Sequence, residues 1–335
     1  MKVENSNSPR PGLLGLTLRI AGTVLVFAVL FHFLPVRQVF TDLRRVSLPL
    51  CLLIGAAYFF GHFVGSQKWR LMVNSAGAGL SVLEAVRCYF AGLFSVLFLP
   101  SIVGGDVVRA GLAMRMGRGK TAIILGGFVD RILDLSALGL LAGLGAILVP
   151  DKLSPSTRKI FILLVAAAAL GGVLFLVTFA LLPARRFAWR WRRQLVRLRE
   201  GRRAMAQQPK IVAVAFALAM GIQVWFIVLT VVLANGAGLR LPFDAWLFAW
   251  PMAKLSAIAP FTQGGIGVRE VTLAALLLPF GAPAAQTVAV GLAWEGISVS
   301  IALLGGLGSY LVGRRLNRSN GEKYQTGLGS KTSAL

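Results

Sequence analysis

The chain has 335 residues, of which 56% are hydrophobic and only 14% are charged. Soluble domains contain about 25% charged residues, so this composition excludes a soluble enzyme, a disulfide scaffold and a disordered chain. The composition predicts an all-α, polytopic membrane protein. Its net charge of +23, from 35 basic and 12 acidic residues, is typical of basic cytoplasmic loops that contact anionic lipid. We therefore expect no nucleic-acid partner.

Six apolar segments are long enough to cross a bilayer, which takes about 20 helical residues. In chain order they are residues 13–34, 46–65, 121–149, 160–182, 211–233 and 286–312. The first is too long for the apolar part of a cleavable signal peptide, so we expect it to remain as a span. Two shorter segments, 85–99 and 245–259, end at prolines and reach only about 22 Å as helices. They predict re-entrant half-helices.

The distribution of basic residues predicts the orientation. Residues 184–210 contain ten Lys or Arg residues and one acid, Glu200, which places this loop in the cytoplasm together with both termini. The two half-helices then enter from opposite faces. The loop fits an amphipathic helix lying on anionic lipid and equally well a solvated loop that only fixes the topology. Residues 1–318 form the predicted transmembrane domain, and the polar tail 319–335 is expected to be disordered.

An internal repeat connects the two short segments. Residues 100–109 and 260–269 both read Pro-x-x-x-Gly-Gly-x-x-x-Arg, at an offset of 160 residues. Because the topology places the two copies on opposite faces, the sequence predicts an inverted repeat with halves at about 46–149 and 211–312. In such folds the broken half-helices meet at a substrate site near the bilayer midplane.

The repeated residues have a physical role in this prediction. A proline ends each half-helix, and the glycines allow a positive φ and a close backbone approach. The next half-helix is expected to begin near Asp106 or Gly267, where its unpaired N–H groups attract an anion. Arg109 and Arg269 can add bidentate contacts to a phosphate. The alternative is that the Pro-Gly-Gly motif serves only packing and Arg109 only anchors the topology.

Ionisable residues also lie at membrane depth, where each charge costs about 2.5–3.5 kcal/mol and four facing lipid would cost about 10 kcal/mol. We therefore expect them to face each other, the hairpins or a wet groove, either as a functional cavity or as a static clamp of salt bridges. The two histidines and two cysteines have no metal-ligand spacing, so no metal or cofactor is predicted. The predicted substrate-binding residues are Gly104, Gly105, Asp106, Arg109, Asp130, Arg131, Asp134, Gly264, Gly265, Arg269, Glu270 and Glu295.

Four motifs together resemble the lysylphosphatidylglycerol synthase transmembrane-region family, also called flippase-like domain proteins. They are Lys68-Trp69-Arg70-Leu71-Met72, the segment 99–109, Asp130-Arg131-x-x-Asp134, and the segment 260–270. The resemblance extends over about residues 13–312. The chain departs from the family at Asp130, where Glu is usual, and at Trp294-Glu295, where an aromatic residue followed by Arg is frequent. The second departure reverses a charge and so predicts a different cargo.

The resemblance implies lipid translocation, because the family includes the lipid-flipping half of proteins that aminoacylate phosphatidylglycerol. We expect a non-enzymatic translocator in the inner membrane that moves a phospholipid or a lipid-linked anionic headgroup from Arg109 to Arg269. We expect no acyltransferase-like domain after residue 318, and therefore no synthesis of aminoacyl lipid by this chain alone. Two alternatives stay open: an accessory protein that presents an isoprenoid or polyprenyl lipid to a partner lipid-modifying enzyme, and a membrane hydrolase or transferase.

Overall fold

The computed structural model describes residues 36–99, 102–149, 159, 200, 201, 203–257 and 266–332. Their regular elements are helices, which confirms the predicted all-α class. A 3₁₀ turn, Leu278–Phe280, joins the last two helices. The helices are α1 (Val36–Leu43), α2 (Leu48–Ser75), α3 (Val82–Ser95), α4 (Ile102–Arg115), α5 (Lys120–Leu148), α6 (Pro209–Gly236), α7 (Phe243–Ser256), α8 (Val268–Leu277) and α9 (Ala284–Thr332).

Four of these helices are long and apolar enough to cross a membrane: α2, α5, α6 and the part of α9 from Ala284 to Arg315. They coincide with four of the predicted spans, and the chain is a multi-pass membrane protein. The other two predicted spans, 13–34 and 160–182, lie outside the described residues, as does most of the basic loop. Helix α9 continues to Thr332, across most of the tail that the sequence predicts to be disordered, because a helix propagates from an existing end more easily than it nucleates.

Helix α2 is ten residues longer at its C-terminal end than the sequence predicts. The charges of Lys68 and Arg70 point to a membrane border there, but the structure buries Lys68 and Trp69 to 2% and 1% exposure. The predicted segment ends at residue 65 because the charges that follow it were interpreted as cytoplasmic. The helix passes through Gly65 and continues to Ser75 without a further glycine or proline, and carboxylates on α5 receive the lysine side chain.

The short helices begin close to the predicted positions, with one correction. Helix α3 starts with a capping box in which Ser81 and Glu84 bond each other's backbone N–H groups. Helix α8 starts directly after Gly267, as predicted, and the φ of this glycine is positive at 88°. Helix α4 starts at Ile102 rather than near Asp106, so the unpaired N–H groups of its first turn precede the predicted anion site.

The glycines of the first motif therefore act within a helix rather than in a turn. Gly105 has no positive φ; instead, a Cβ on Gly105 would lie 2.8 Å from the carbonyl oxygen of Gly92 and 2.6 Å from a methyl group of Val96. Gly105 thus lets α4 approach α3 closely, the use of small residues that membrane helix pairs favour. The expected close backbone approach is present, whereas the expected positive φ at this position was wrong.

Helices α2 to α5 of the first half of the chain pack against helices α6 to α9 of the second half. Helix α2 has its most extensive contacts with α6, α3 with α9, and α5 with α7. The main apolar core lies where these pairs meet, and Trp246 and Phe248 of α7 are fully buried in it. Gly145 of α5 lies directly against the backbone of Phe248. This packing surrounds the space in which the charged side chains meet.

Candidate functional site

A cavity of about 410 Å³ lies between the helices, and all eight helices from α2 to α9, or the residues that follow them directly, contribute to its wall. Charged, aromatic and aliphatic side chains line it together. The charged ones are Lys68, Asp106, Arg109, Arg131, Asp134, Lys254, Arg269 and Glu295. Residues from α2, α5, α6 and α9, the four candidate spans, thus reach the same space as residues from the short helices.

Five of these charged residues, together with the buried Asp130, form a first charge cluster, contributed by α2, α4 and α5. Lys68 bonds Asp130 at 2.6 Å and Asp134 at 2.7 Å. Arg109 lies 3.1 Å from Asp106 and 3.4 Å from Asp130. The third cation, Arg131 of α5, pairs with Asp106 of α4 and with Asp134. The cluster thus contains three cations and three aspartates. Its members are Lys68, Asp106, Arg109, Asp130, Arg131 and Asp134.

The sequence positions explain how this cluster forms. Asp130 and Asp134 are four residues apart on α5 and therefore lie on one face, where Lys68 of α2 reaches both. Arg131 donates to Asp106 of α4 and lies 3.7 Å from Asp134, three residues later on α5. A buried ion without such partners would be very costly in this environment, so the three helices are held in register.

Aromatic rings support Arg109 within the cluster. Its guanidinium lies 4.6 Å from the ring centre of Trp69 and 5.4 Å from that of Tyr89. Tyr89 also contacts His62 through its hydroxyl, at 3.2 Å from the ring Nδ1. Because Arg109 is 4% exposed, both the carboxylates and the ring faces compensate its charge.

A second charge cluster comprises Arg269, Glu270 and Glu295, contributed by α8 and α9. Arg269 donates to Glu270 at 2.7 Å and to Glu295 at 2.8 Å. Glu270 is 1% exposed and also accepts the backbone N–H of Gly267 at 2.7 Å, which fixes the start of α8. One arginine therefore serves two carboxylates.

Lys254 on α7 lines the cavity but belongs to neither cluster. Its Nζ donates to the side-chain oxygen of Gln223 at 2.9 Å and lies 4.8 Å from the ring centre of Trp250 and 5.3 Å from that of Phe226. Within the part of the chain that the structure describes, no carboxylate lies within salt-bridge distance of this ammonium group.

An apolar and aromatic wall completes the cavity. Tyr58 packs against Phe226 at 5.0 Å and against Trp294 at 5.2 Å between ring centres. The wall also includes Leu135 of α5, whose side chain is 44% exposed. The lining therefore combines charged groups with an exposed apolar side chain of a candidate span.

The structure brings most of the predicted site residues together. Gly105, Asp106, Arg109, Arg131, Asp134, Arg269 and Glu295 line the cavity, and Asp130 and Glu270 contact its cations from behind. Gly104 instead packs against the side chain of Leu99. Gly264 and Gly265 lie outside the described residues. The predicted charges contact each other.

Sequence reasoning missed Lys68 and Gln223 as site residues, and it counted Lys254 among the charges at membrane depth but not among the substrate-binding residues. The available signals were the recognised motif that contains Lys68 and the position of Lys254 in the second short segment. Gln223 had a weaker signal, a single amide in the apolar run of α6. The aromatic wall had none, because tryptophan and phenylalanine are frequent throughout this chain.

The family model described as "Lysylphosphatidylglycerol synthase TM region" matches residues 16–306, which is most of the chain. The match extends over both charge clusters and Lys254. No curated protein matches the chain.

Proposed function

The chain belongs to the lysylphosphatidylglycerol synthase TM-region family, and from that membership and the geometry of the cavity we propose that it moves a lipid between membrane leaflets. The cargo is a phospholipid or another lipid with an anionic linked headgroup. The headgroup occupies the cavity while the acyl chains stay in the bilayer. The chain acts as a carrier rather than an enzyme, and it provides polar contacts where hydrocarbon would otherwise exclude the headgroup.

The observation that carries the proposal is the convergence of eight charged side chains on one cavity between apolar helices. Ionisable groups at membrane depth are expensive and typically mark a substrate or ion pathway. The volume of about 410 Å³ lies within the range of small-molecule sites, about 300–1,000 Å³. A lipid headgroup matches these properties because it is polar, compact and attached to chains that cannot leave the bilayer.

The position of Leu135 supports a lateral route. Because Leu135 lines the cavity and is also 44% exposed, a headgroup could enter at this side of α5 without its chains crossing a polar region. Arg131 and Asp106, both partly exposed, stand next to this entrance. Their mutual ion pair can exchange for contacts with an arriving headgroup.

The packing of the halves supports the inverted repeat that the proposal includes. Helices α2 and α6 are each 28 residues long, and α3 and α7 are each 14, which corresponds to about 21 Å and is too short to cross. If α2–α5 are equivalent to α6–α9, then the contacts of α3 with α9 and of α7 with α5 are related by a pseudo-two-fold axis. We include re-entrant hairpins and six spans in the proposal on this basis.

The basic residues support an orientation. The Arg-rich loop at 184–210 is expected on the cytoplasmic side of the inner membrane, where anionic lipid attracts it, with both termini on that side. The two hairpins then open toward opposite leaflets, and the headgroup passes between them through the shared cavity.

A leaflet-exchange assay tests the proposal. The purified chain is reconstituted into vesicles of phosphatidylcholine and phosphatidylglycerol that contain NBD-labelled phosphatidylglycerol, and dithionite then bleaches the outer leaflet. We expect bleaching to proceed beyond the outer half of the label, whereas empty vesicles stop there. Equal bleaching with and without protein would contradict translocation, and lipid binding without exchange would favour the accessory role.

A matched pair of variants on α9 separates the cavity from the rest of the protein. Val299 lines the cavity, whereas Leu303, one turn later, is 48% exposed and does not. We expect Val299→Trp to slow exchange about tenfold or more, which corresponds to about 1.4 kcal/mol on the barrier. Leu303→Trp should exchange lipid at the parent rate; equal slowing in both variants would contradict a route through the cavity.

A further inference from the structure

The cations that line the cavity differ in whether they have an ionic partner. Within the described residues, Lys68, Arg109, Arg131 and Arg269 each have two carboxylates within 4.0 Å. Lys254 has a neutral amide instead, the Gln223 oxygen at 2.9 Å. A lysine ammonium has three donors, and the described hydrogen bonds account for one of them.

This difference favours Lys254 as the cation that a phosphate binds. At Arg269 a phosphate competes with carboxylates that lie 2.7 and 2.8 Å from the guanidinium, and at Arg109 with carboxylates at 3.1 and 3.4 Å. Displacement leaves a carboxylate uncompensated in a buried site, which is strongly unfavourable. Lys254 requires no such displacement, because a phosphate oxygen can bond the donors that Gln223 does not use.

The surroundings of Lys254 hold its ammonium group at the cavity. The faces of Trp250 and Phe226 lie 4.8 and 5.3 Å from Nζ and attract the cation through their ring quadrupoles. Both rings also line the cavity. The rings compensate only part of a full charge, so the ammonium keeps donors for a ligand that enters the cavity.

We propose that Lys254 binds a phosphate oxygen of the headgroup and that Arg109 and Arg269 hold the framework of the site in place. The identity of the phosphate as part of a lipid rests on the proposed function; the phosphate chemistry at Lys254 does not. Glu270 and Glu295 both pair with Arg269, so the charge of this arginine is compensated. The phosphate is therefore recognised through a direct contact with Lys254 rather than through a general excess of positive charge.

Calorimetric titration of the full chain in dodecyl maltoside, which carries no phosphate, tests this assignment. The probes are dihexanoylphosphatidylglycerol, dihexanoylglycerol and inorganic phosphate. We expect the phospholipid to bind and the phosphate-free glycerolipid to bind at least about tenfold more weakly, since hydrogen bonds to charged groups are worth about 1.5–3 kcal/mol. Inorganic phosphate should compete weakly with the phospholipid; tighter binding of inorganic phosphate would contradict a lipid as the source.

Two variants neutralise the site in different ways. Lys254→Gln removes the charge, and Gln223→Glu leaves the lysine but gives it a carboxylate partner where the amide oxygen now lies. We expect both to weaken phospholipid binding about tenfold or more, while Lys254→Arg retains most of it. Arg240→Gln is the matched control, because it removes a positive charge from an exposed position outside the cavity and should change binding by less than about twofold.

Unchanged phospholipid affinity in Gln223→Glu and Lys254→Gln would overturn the assignment, as would an equal loss of dihexanoylglycerol binding, which would indicate a packing role. Size-exclusion chromatography and circular dichroism establish that each variant is folded. The binding result is independent of leaflet exchange. An absence of lipid exchange in vesicles would contradict the proposed function, but phosphate binding that depends on Lys254 would still support the assignment to Lys254.

Discussion

At the scale of single residues, burial and pairing of charge dominate this molecule. Asp130 is 1% exposed and receives both Lys68 and Arg109. The buried aspartate thus connects two cations that approach from α2 and α4. Ion pairs of this kind seldom add stability compared with apolar packing, but removing one member leaves an uncompensated charge in the interior. The clusters therefore act as a framework that tolerates little change.

The substitution Asp130→Asn tests this framework. It retains the shape of the side chain and removes the charge, so we expect it to lower the free energy of unfolding by about 3–5 kcal/mol. Unfolding in mixed micelles with increasing dodecyl sulfate measures the difference. Asp244→Asn is the control, because Asp244 stands in the first turn of α7, where its charge interacts mainly with the helix dipole and should contribute less than about 1 kcal/mol. Equal losses in the two variants would contradict a special role for the buried cluster.

At the scale of elements, short helices and close glycine contacts bring the charges together. Helix α4 can carry Asp106 and Arg109 into the cavity only because Gly105 lets it lie against Gly92 of α3. Without a side chain at either position, the two backbones are in direct contact. The geometry of the site therefore depends on residues that carry no functional group.

Two glycines on α4 form a matched test of this dependence. A Cβ at Gly105 would meet Val96 and the backbone of Gly92, whereas a Cβ at Gly111 would meet nothing within 4 Å. We expect Gly105→Ala to destabilise the protein by about 1–3 kcal/mol through overpacking, visible as a lower thermal midpoint in detergent and as slower leaflet exchange. Gly111→Ala should be neutral or stabilising by up to about 1 kcal/mol, because alanine favours the helix. A lower midpoint for Gly111→Ala than for Gly105→Ala would contradict the packing role.

Hydropathy and the repeat predicted most of the described elements, and the errors have physical causes. The four candidate spans lie within a few residues of prediction except at the end of α2, where the charge of Lys68 was taken as a border. A sequence does not reveal that Asp130 and Asp134 will accept that charge 62 and 66 residues later. The role of Gly105 was misjudged for the same reason: its contact with Gly92 of α3 arises from tertiary packing, which the sequence does not show. The predicted cluster of acids and arginines depended on the cost of charge in lipid, which is a general constraint, and most of its members line the cavity.

At the scale of the whole molecule, both halves of the chain contribute to one cavity. The first half supplies the cluster around Asp130, and the second supplies Lys254 and the cluster around Arg269. Contacts of α2 with α6, α3 with α9 and α5 with α7 connect the halves. The proposed lipid transport requires both this polar space between apolar helices and an apolar exit near Leu135 for the lipid chains.

Photolabelling of the reconstituted chain tests this account most directly. One phosphatidylglycerol probe carries a diazirine on its headgroup glycerol and a second carries it in the acyl chain, and mass spectrometry maps the labelled peptides. We predict that the headgroup probe labels cavity residues of α6 and α7, around Gln223 and Trp250, and that the acyl probe labels the outer face of α5 around Leu135. Headgroup labelling confined to exposed helix ends, with no label in the cavity, would contradict the account.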